Sequence, residues 1–195
     1  MGKAWKYRQI ISLLSCFIVA STLTACSVQT SNDASSGKTS TTEAQKQASE
    51  PPSQLIGVKI DQNCEEVISL QELYDFNPNF ALDQTSPALS KEIVNNFDSV
   101  QGLTCVYKNL TNGELIQLSL AKISDASIPY LKQLLSESGQ NTGNISVSED
   151  SSFTSQDGIG TSQILFRNYW ISVSSQSFLS PSDAEQFVAP LLKRL

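Results

Sequence analysis

The chain has 195 residues and carries 19 acidic against 13 basic side chains, which gives a net charge of −6. It contains no histidine, which excludes Ser-His-Asp and Cys-His nucleophile systems and the usual zinc sites. The acidic balance also argues against a nucleic-acid partner, because Lys and Arg must neutralise phosphates in such complexes.

The first 25 residues follow the order of a secretory leader. Lys3, Lys6 and Arg8 precede an apolar segment that begins near Ile10, and small residues follow that segment before Cys26. Serine and threonine interrupt the apolar segment, so it is a poor match to a permanent span of about 20 apolar residues. We therefore predict that residues 1–25 are a signal peptide.

The segment Leu23-Thr24-Ala25-Cys26 resembles the bacterial lipoprotein lipobox, in which Leu, a small or polar residue and Ala or Gly precede Cys. The resemblance implies that the Cys26 thiol receives a diacylglyceryl group and that a peptidase cuts between Ala25 and Cys26. Two acyl chains would anchor the protein, at roughly 0.8 kcal/mol for each buried methylene. The alternatives are an ordinary signal peptide with a coincidental cysteine, or a signal anchor. The prediction is a lipid-anchored protein on the extracytoplasmic face of a bacterial cell membrane.

Residues 26–53 are predicted to comprise the lipidated cysteine and a disordered linker. Ser, Thr, Gln, Ala, Lys and Glu dominate, and no large apolar residue stands between Val28 and Leu55. Such a stretch buries too little apolar surface to offset the entropy of ordering it. Removing the three basic leader residues lowers the net charge from −6 to −9. That charge disfavours a polybasic grip on anionic lipid and leaves Cys26 as the membrane anchor.

Cys64 and Cys105 are the cysteines left once Cys16 departs with the leader and Cys26 is lipidated. An extracytoplasmic compartment permits oxidation, and two cysteines allow one intramolecular disulfide. The bridge would close a loop of about 42 residues and contribute roughly 4 kcal/mol in the chain-entropy model. Two cysteines without histidine are a poor metal-ligand set. No metal or cofactor is predicted beyond the diacylglyceryl group at Cys26.

Residues 54–195 are predicted to form a single domain with a core of its own. Periodicity and turn signals place its elements. The predicted strands occupy residues 55–60, 103–108, 114–122, 145–148, 160–166 and 169–174. The predicted helices occupy residues 64–73, 89–97 and 128–137, with a last helix from residue 182. Hairpins with segregated helices indicate an α+β fold, an antiparallel sheet with flanking helices.

Capping and turn residues sharpen these boundaries. Asn63 is the predicted N-cap of the helix at 64–73, whose stripe of Val67, Leu70, Leu73 and Tyr74 is expected to be buried. Asn112-Gly113 and Arg167-Asn168 are predicted hairpin turns. Ser182 and Glu185 match a capping box after Pro181. Segment 75–87 is predicted to be irregular.

A second resemblance rests on Cys64 in an early helix, the segment from Gly102 to Tyr107 around Cys105, and the Thr-Asn-Gly hairpin. This layout is similar to small actinobacterial cell-envelope lipoproteins of uncharacterised function over roughly residues 60–195. Those proteins commonly place Trp where this chain has Tyr107. The layout is also similar to PsbP-like folds. Both resemblances imply a binding or accessory role, and neither carries over a catalytic residue.

Two segments imitate ligand motifs without completing them. Gly158-Ile159-Gly160 lacks the third glycine of a dinucleotide loop and is predicted to be a turn. Segment 75–86 begins like a calcium loop, but Phe80 stands where glycine is needed and Ser86 where the bidentate glutamate should be. The prediction there is an Asx-rich turn.

The aromatic residues Phe166, Tyr169, Trp170 and Phe178 lie near the last predicted hairpin and form the candidate binding patch. They either line a groove for a hydrophobic ligand or partner, or belong to the core. Because side chains alternate along a strand, Tyr169 and Trp170 must face opposite sides of the sheet. An aromatic left uncovered would mark an interface.

The predicted function is a non-enzymatic binding or accessory domain. Its partner would be a small molecule, a lipid or a protein of the cell envelope. The alternative is a cell-envelope hydrolase that uses carboxylates, which requires two carboxyl groups about 5 to 10 Å apart across a cleft.

Overall fold

The computed structural model describes residues 54–138, 145, 146, 148 and 150–195. These residues form an antiparallel sheet with helices packed on both faces, so the predicted α+β class is confirmed. The predicted leader and linker, including the lipobox and Cys26, lie outside the described residues.

Seven strands pair antiparallel in the described part of the chain. They are β1 Gly57–Val58, β2 Phe80–Leu82, β3 Leu103–Asn109, β4 Leu115–Ile123, β5 Ser151–Gln156, β6 Ile159–Phe166 and β7 Tyr169–Ser175. The sheet order is β2-β3-β4-β7-β6-β5, and β1 pairs with the end of β4 that lies beyond β3. Strand β5 therefore ends the sheet on one side.

Five α-helices pack on this sheet in the described part of the chain. They are α1 Cys64–Val67, α2 Leu70–Phe76, α3 Lys91–Ser99, α4 Ile128–Ser138 and α5 Pro181–Arg194. A 3₁₀ turn at Asp125–Ser127 leads into α4. The helices fall into two groups, because successive residues of each strand point to opposite faces.

The larger core lies between the sheet and helices α1, α2 and α5. Strand β4 contributes Ile116, Leu118 and Leu120 to it, at the alternate spacing of one strand face. Helix α5 supplies Phe187, whose ring centroid lies 5.1 Å from that of Phe76. Phe187, Val188, Leu191 and Leu192 of α5 are buried, and Leu195 after it packs against the same core.

The smaller core lies on the opposite face, under α3 and α4. Strand β4 turns Ala121 and Ile123 to this side, where Phe97 of α3 and Leu131 of α4 are fully buried. Trp170 of β7 completes this core and is 6% exposed.

The helix predicted at 64–73 is two helices, and this correction has a local cause. Ser69 accepts a hydrogen bond from the Glu72 backbone N–H, while the Glu72 carboxylate accepts one from Ser69 N–H, which forms a capping box that starts α2. The predicted stripe is therefore split. Val67 and Leu73 are buried, whereas Leu70 is 68% and Tyr74 62% exposed. The predicted Asn63 cap of α1 is confirmed.

Two strands were placed wrongly by the sequence pattern. The segment predicted to be irregular contains β2, which is only three residues long and gains its order from pairing with β3. The strand expected at 145–148 is not seen at the described positions there, and β5 begins at Ser151 instead. Strand β5 is rich in serine, so its hydrophobic pattern is weak, and pairing with β6 defines it.

The predicted turns hold, with small shifts. Gly113 adopts φ +79° within the β3–β4 connection, and Arg167 adopts φ 56° between β6 and β7. Of the predicted Gly158 turn, only Gly158 turns the chain, at φ +77°, while Ile159 and Gly160 belong to β6. Glycine supplies this positive φ without steric strain.

The last helix starts at Pro181, one residue earlier than predicted, and its capping box lies two residues earlier. Its capping box joins Ser180 to Asp183 rather than Ser182 to Glu185, and Pro181 occupies the first helical turn. Proline suits that position because the first turn leaves its backbone N–H groups unpaired in any case.

Candidate binding site

The predicted disulfide is confirmed. Cys64 at the start of α1 is bonded to Cys105 of β3, with the two Cα atoms 5.6 Å apart. Both residues are buried in the larger core. The neighbouring Tyr107 hydroxyl donates to the Cys64 carbonyl at 3.3 Å, and burial, aided by the charge of Glu72, raises the pKa of Tyr107 far above its ordinary value. The bridge links α1 to β3 and is buried, so it does not contribute to a surface binding site.

The four aromatic residues of the candidate patch do not form one surface. Phe178 is buried in the larger core, while Phe166 and Tyr169 pack against the same core and are half-buried. Trp170 belongs to the smaller core on the other face. The alternation expected for Tyr169 and Trp170 is therefore observed.

Trp170 is covered rather than exposed. Its ring stacks on Phe97 of α3 with the centroids 4.1 Å apart. Its indole N–H donates to Gln163 Oε1 at 2.9 Å, which satisfies the buried polar atom. Trp170 thus fills the space under α3.

Phe166 and Tyr169 sit opposite each other at the end of the β6–β7 hairpin. The Arg167 guanidinium lies 5.3 Å from the Phe166 ring centroid, and Lys122 Nζ lies 5.9 Å from that of Tyr169. These cations stack on the aromatic faces, so the half-exposed part of the patch is a pair of cation–aromatic contacts.

The face of the sheet that carries the smaller core also carries two rows of polar side chains. Cα pairing aligns one row across five strands and a second across four. The first row is Thr104, Ser119, Ser172, Gln163 and Ser152. The second row is Gln117, Ser174, Thr161 and Thr154. Because paired residues project from the same side of a sheet, we call this surface the polar face.

The polar face passes from buried to open as it crosses the sheet. Gln117, Ser172 and Ser174 are 1% exposed, near α3, whereas Thr154 is half-buried and Gln156 exposed on the edge strand β5. The open end of the polar face is therefore the end farthest from the helix.

A groove of about 490 Å³ lies between α3 and this open end. Its main polar residues are Ser90 and Asn96 from α3, with Gln156, Thr161, Gln163 and Ser174 from the strands. We call it the polar groove. Its volume falls in the range of small-molecule sites, which is about 300–1,000 Å³.

Hydrogen bonds hold both walls of the polar groove in place. On the helix side, Gln117 Oε1 accepts from Ser90 N–H at 2.9 Å, and its amide donates to the Ser90 carbonyl at 3.4 Å. On the sheet side, Thr161 and Ser174 join their hydroxyls at 2.9 Å. These hydrogen bonds hold residues of both walls in place before a ligand binds.

Several polar groups at the groove surface have no partner in the described part of the chain. The side chains of Asn96, Thr154 and Gln156 make no hydrogen bond to described residues. Gln163 uses its Oε1 for Trp170, and its amide N–H₂ makes no such bond. These groups are available to a ligand.

A second groove of about 500 Å³ runs along the other side of β5, between that strand and the start of α5. It shares Thr154 and Gln156 with the polar groove and includes Leu179, which is 83% exposed. The loop before α5 can pass close because residue 160 is glycine, where a Cβ would meet the Phe178 carbonyl at 1.9 Å. Strand β5 thus separates two grooves.

Two carboxyl groups outside the polar groove are stabilised in their charged form by hydrogen bonds. Hydrogen bonds from Thr85 and Ser86 lower the pKa of Asp83 to about 2. The hydroxyl and backbone of Ser180 lower the pKa of Asp183 in the same way. These are turn and capping carboxylates, ionised at neutral pH. Glu92 and Asp157 line the polar groove.

The calcium-like segment is structural. Asn77 Oδ1 accepts from Asn79 N–H at 2.9 Å in an Asx turn that leads into β2, as predicted from its composition. Within the described ranges, no group of three or more acidic, cysteine or histidine side chains is placed to hold a metal ion. No helix in that same part of the chain is long and apolar enough to cross a membrane.

Comparison with protein-family models, with curated proteins and with solved structures finds no match. The site is therefore argued from its own geometry. Sequence reasoning missed the polar groove, although Ser172 and Ser174 alternate with Ile171 and Val173 in a way that marks a strand with one polar face.

Proposed function

We propose that this protein is a lipid-anchored, non-enzymatic binding domain on the extracytoplasmic face of a bacterial cell membrane. The observation that carries the proposal is the segment Leu23-Thr24-Ala25-Cys26 behind a basic, apolar leader. The Cys64–Cys105 disulfide supports it, because such bonds persist in oxidising compartments. Residues 26–53, with their polar composition, would link the anchor to the folded part.

The polar groove supports a binding role. Hydrogen bonds from Gln117 and between Thr161 and Ser174 hold its helix and strand walls. The side chains of Asn96, Thr154 and Gln156 at its surface make no hydrogen bond to described residues. A preorganised wall with free polar groups loses little entropy when a ligand binds. The proposed role is capture of a small ligand or of a segment of an envelope protein.

Anchoring is tested by intact mass and fatty-acid labelling of the full chain and of Cys26→Ser, with Cys16→Ser as the matched control. We expect the wild type and Cys16→Ser to lose residues 1–25 and to carry acyl chains. Cys26→Ser should keep its leader and take up no label. An unmodified Cys26 in the wild-type product would refute the anchor.

A second candidate is favoured by one observation, that Glu92 and Asp157 line the same groove. Glycoside hydrolysis uses two such carboxyl groups. The test incubates the wild type, Glu92→Gln and Asp157→Asn with cell-wall glycan and measures new reducing ends. We expect no release by the wild type. Release that both substitutions abolish would replace the binding proposal with a hydrolase.

A further inference from the structure

We infer that the polar groove binds a neutral, hydroxyl-rich ligand, that is, an uncharged carbohydrate. This inference deepens the proposed binding role and rests on it. It starts from the chemistry of the groove wall, which is made of amide and hydroxyl groups rather than of charged pairs.

The polar groups of the groove wall can both donate hydrogen bonds to ligand hydroxyls and accept hydrogen bonds from them. Asn96 and Gln156 each offer an amide N–H₂ and a carbonyl oxygen, and Thr154 offers a hydroxyl that donates and accepts. None of the three is occupied by a described residue. A sugar hydroxyl also donates and accepts, so each can be paired without leaving a polar atom unsatisfied.

The charges around the groove select against an anion. Among the described residues, no lysine or arginine lines it, and the charged residues that do are the acids Glu92 and Asp157. A phosphate or carboxylate ligand would therefore meet repulsion and no compensating cation. The sulfate- and phosphate-binding classes are disfavoured for this site.

Apolar side chains complete the wall. Leu89 and Ile93 lie on the helix side and Ile159 on the strand side of the same groove. Such groups can cover the C–H face of a sugar ring while the amides reach its hydroxyls. The volume of about 490 Å³ is sufficient for a short oligosaccharide.

Hydrogen bonds fix several of the groups in and beside the polar groove. Ser174 and Thr161 are bonded to each other, and Gln117 fixes the first residues of α3. Gln163 Oε1 accepts a hydrogen bond from the Trp170 indole N–H, which fixes the amide group. The N–H₂ of that amide makes no hydrogen bond to described residues. The Gln163 amide is therefore a positioned donor for a ligand.

The test uses the lipidated full chain in a zwitterionic detergent that has no sugar headgroup. Three trisaccharide probes form a charge series: the neutral trimer of N-acetylglucosamine, the cationic trimer of glucosamine and the anionic trimer of galacturonic acid. Saturation-transfer NMR titrations at millimolar probe measure each dissociation constant. We expect the neutral probe to bind and the anionic probe to bind at least about tenfold more weakly.

The variants compare neighbouring residues. Asn96→Ala combined with Gln156→Ala removes one amide from each wall, and we expect about tenfold weaker binding of the neutral probe, since each lost hydrogen bond weakens binding severalfold. Asn95→Ala is the control, because Asn95 is exposed on the same helix but does not line the groove. It should leave the dissociation constant unchanged.

Three outcomes would overturn the inference. The neutral probe does not bind, the double variant binds it as well as the wild type, or the cationic trimer binds more tightly through Glu92 and Asp157. Mass measurement of the anchor is independent of these titrations. A lipidated protein that binds none of the three sugars would therefore refute the ligand class without contradicting the lipid anchor.

Discussion

The two faces of the sheet contrast in what covers them. One face is covered by α1, α2 and α5 and carries an apolar core with a disulfide at its edge. The other is apolar only under α3 and α4, and beyond them it carries two rows of Ser, Thr and Gln that open into a groove. Under the proposed function, stability depends on one face of the sheet and ligand recognition on the other, so substitutions on the two faces should have separable effects.

The largest effect is expected in the larger core. Phe187→Ala removes a ring that is 2% exposed and packs edge-on against Phe76 and Tyr107. The lost burial and the cavity should lower the free energy of unfolding by about 3–5 kcal/mol. Urea unfolding measures it. Asn96→Ala on the polar groove should change stability by less than about 0.5 kcal/mol. Equal losses of stability in Phe187→Ala and Asn96→Ala would contradict the contrast between the two faces.

The disulfide should contribute nearly as much. Cys64→Ala with Cys105→Ala releases a bridge that spans 41 positions, and the chain-entropy relation gives about 3–4 kcal/mol. Unfolding is measured with and without reductant. The reductant should destabilise the wild type by a similar amount and leave the double variant unaffected. An unaffected wild type would mean that the bridge adds no stability.

The hydrogen bonds between Gln117 and Ser90, which hold the start of α3 over the polar face, should contribute less stability than the disulfide. Gln117→Leu leaves the Ser90 N–H and carbonyl without their partner, which should lower stability by about 1–3 kcal/mol. Hydrogen exchange should speed up in the first turn of α3 and not in α5. Gln84→Leu at an exposed position is the control. Protection unchanged in α3 would show that Gln117 does not position the groove wall.

Lowering the pH should weaken the capping box of Ser180 and Asp183 at the start of α5, which packs on the larger core. The Ser180 hydroxyl lowers the pKa of Asp183 in the folded state, so its contribution is full above about pH 4 and is lost as the pH falls through the folded value. Thermal unfolding of the wild type and Asp183→Asn is compared from neutral pH to about pH 2. The wild type should be more stable at neutral pH, and the difference should close in acid. A difference that grows in acid would contradict the cap.

The smallest effect separates two neighbours on the polar face. Ser172 Oγ is buried without a hydrogen-bond partner among the described residues, so Ser172→Ala should be neutral or stabilising by up to about 1 kcal/mol. Its Cα partner Ser119 bonds the Thr104 hydroxyl at 2.8 Å, and Ser119→Ala should lower stability by about 1 kcal/mol. Unfolding in urea measures both. The reverse order would refute this account of the polar face.

Local signals were predicted well because their physics is local. Asn63 caps α1, Gly113 turns the β3–β4 connection, and the strand predicted at 114–122 is β4, Leu115–Ile123. The start of a new helix after Ser69 also has a local signal, the Ser-x-x-Glu spacing of Ser69 and Glu72. The helical hydrophobic period continues through this position and received more weight in the prediction.

The candidate site was harder to predict because its parts are far apart in the chain. The aromatic patch was defined by neighbours in sequence, yet pleating sent Trp170 to the face opposite Phe166 and Tyr169. The polar groove joins α3 to β5, β6 and β7, which no local period links. Strand β5 was misplaced for the same reason, since its pairing with β6 outweighs its weak pattern.

The amino-acid sequence by itself determined the absence of histidine, the lipobox-like Cys26 segment, the caps and turns, the alternation of most strands and a cysteine pair free to bond. Only the tertiary structure decided which strands are neighbours and in what register, and hence that Gln117, Ser174, Thr161 and Thr154 form one row. Register depends on long-range pairing and on which face is buried, and a shift of one residue would turn every side chain to the other face. The position of the groove follows from that register.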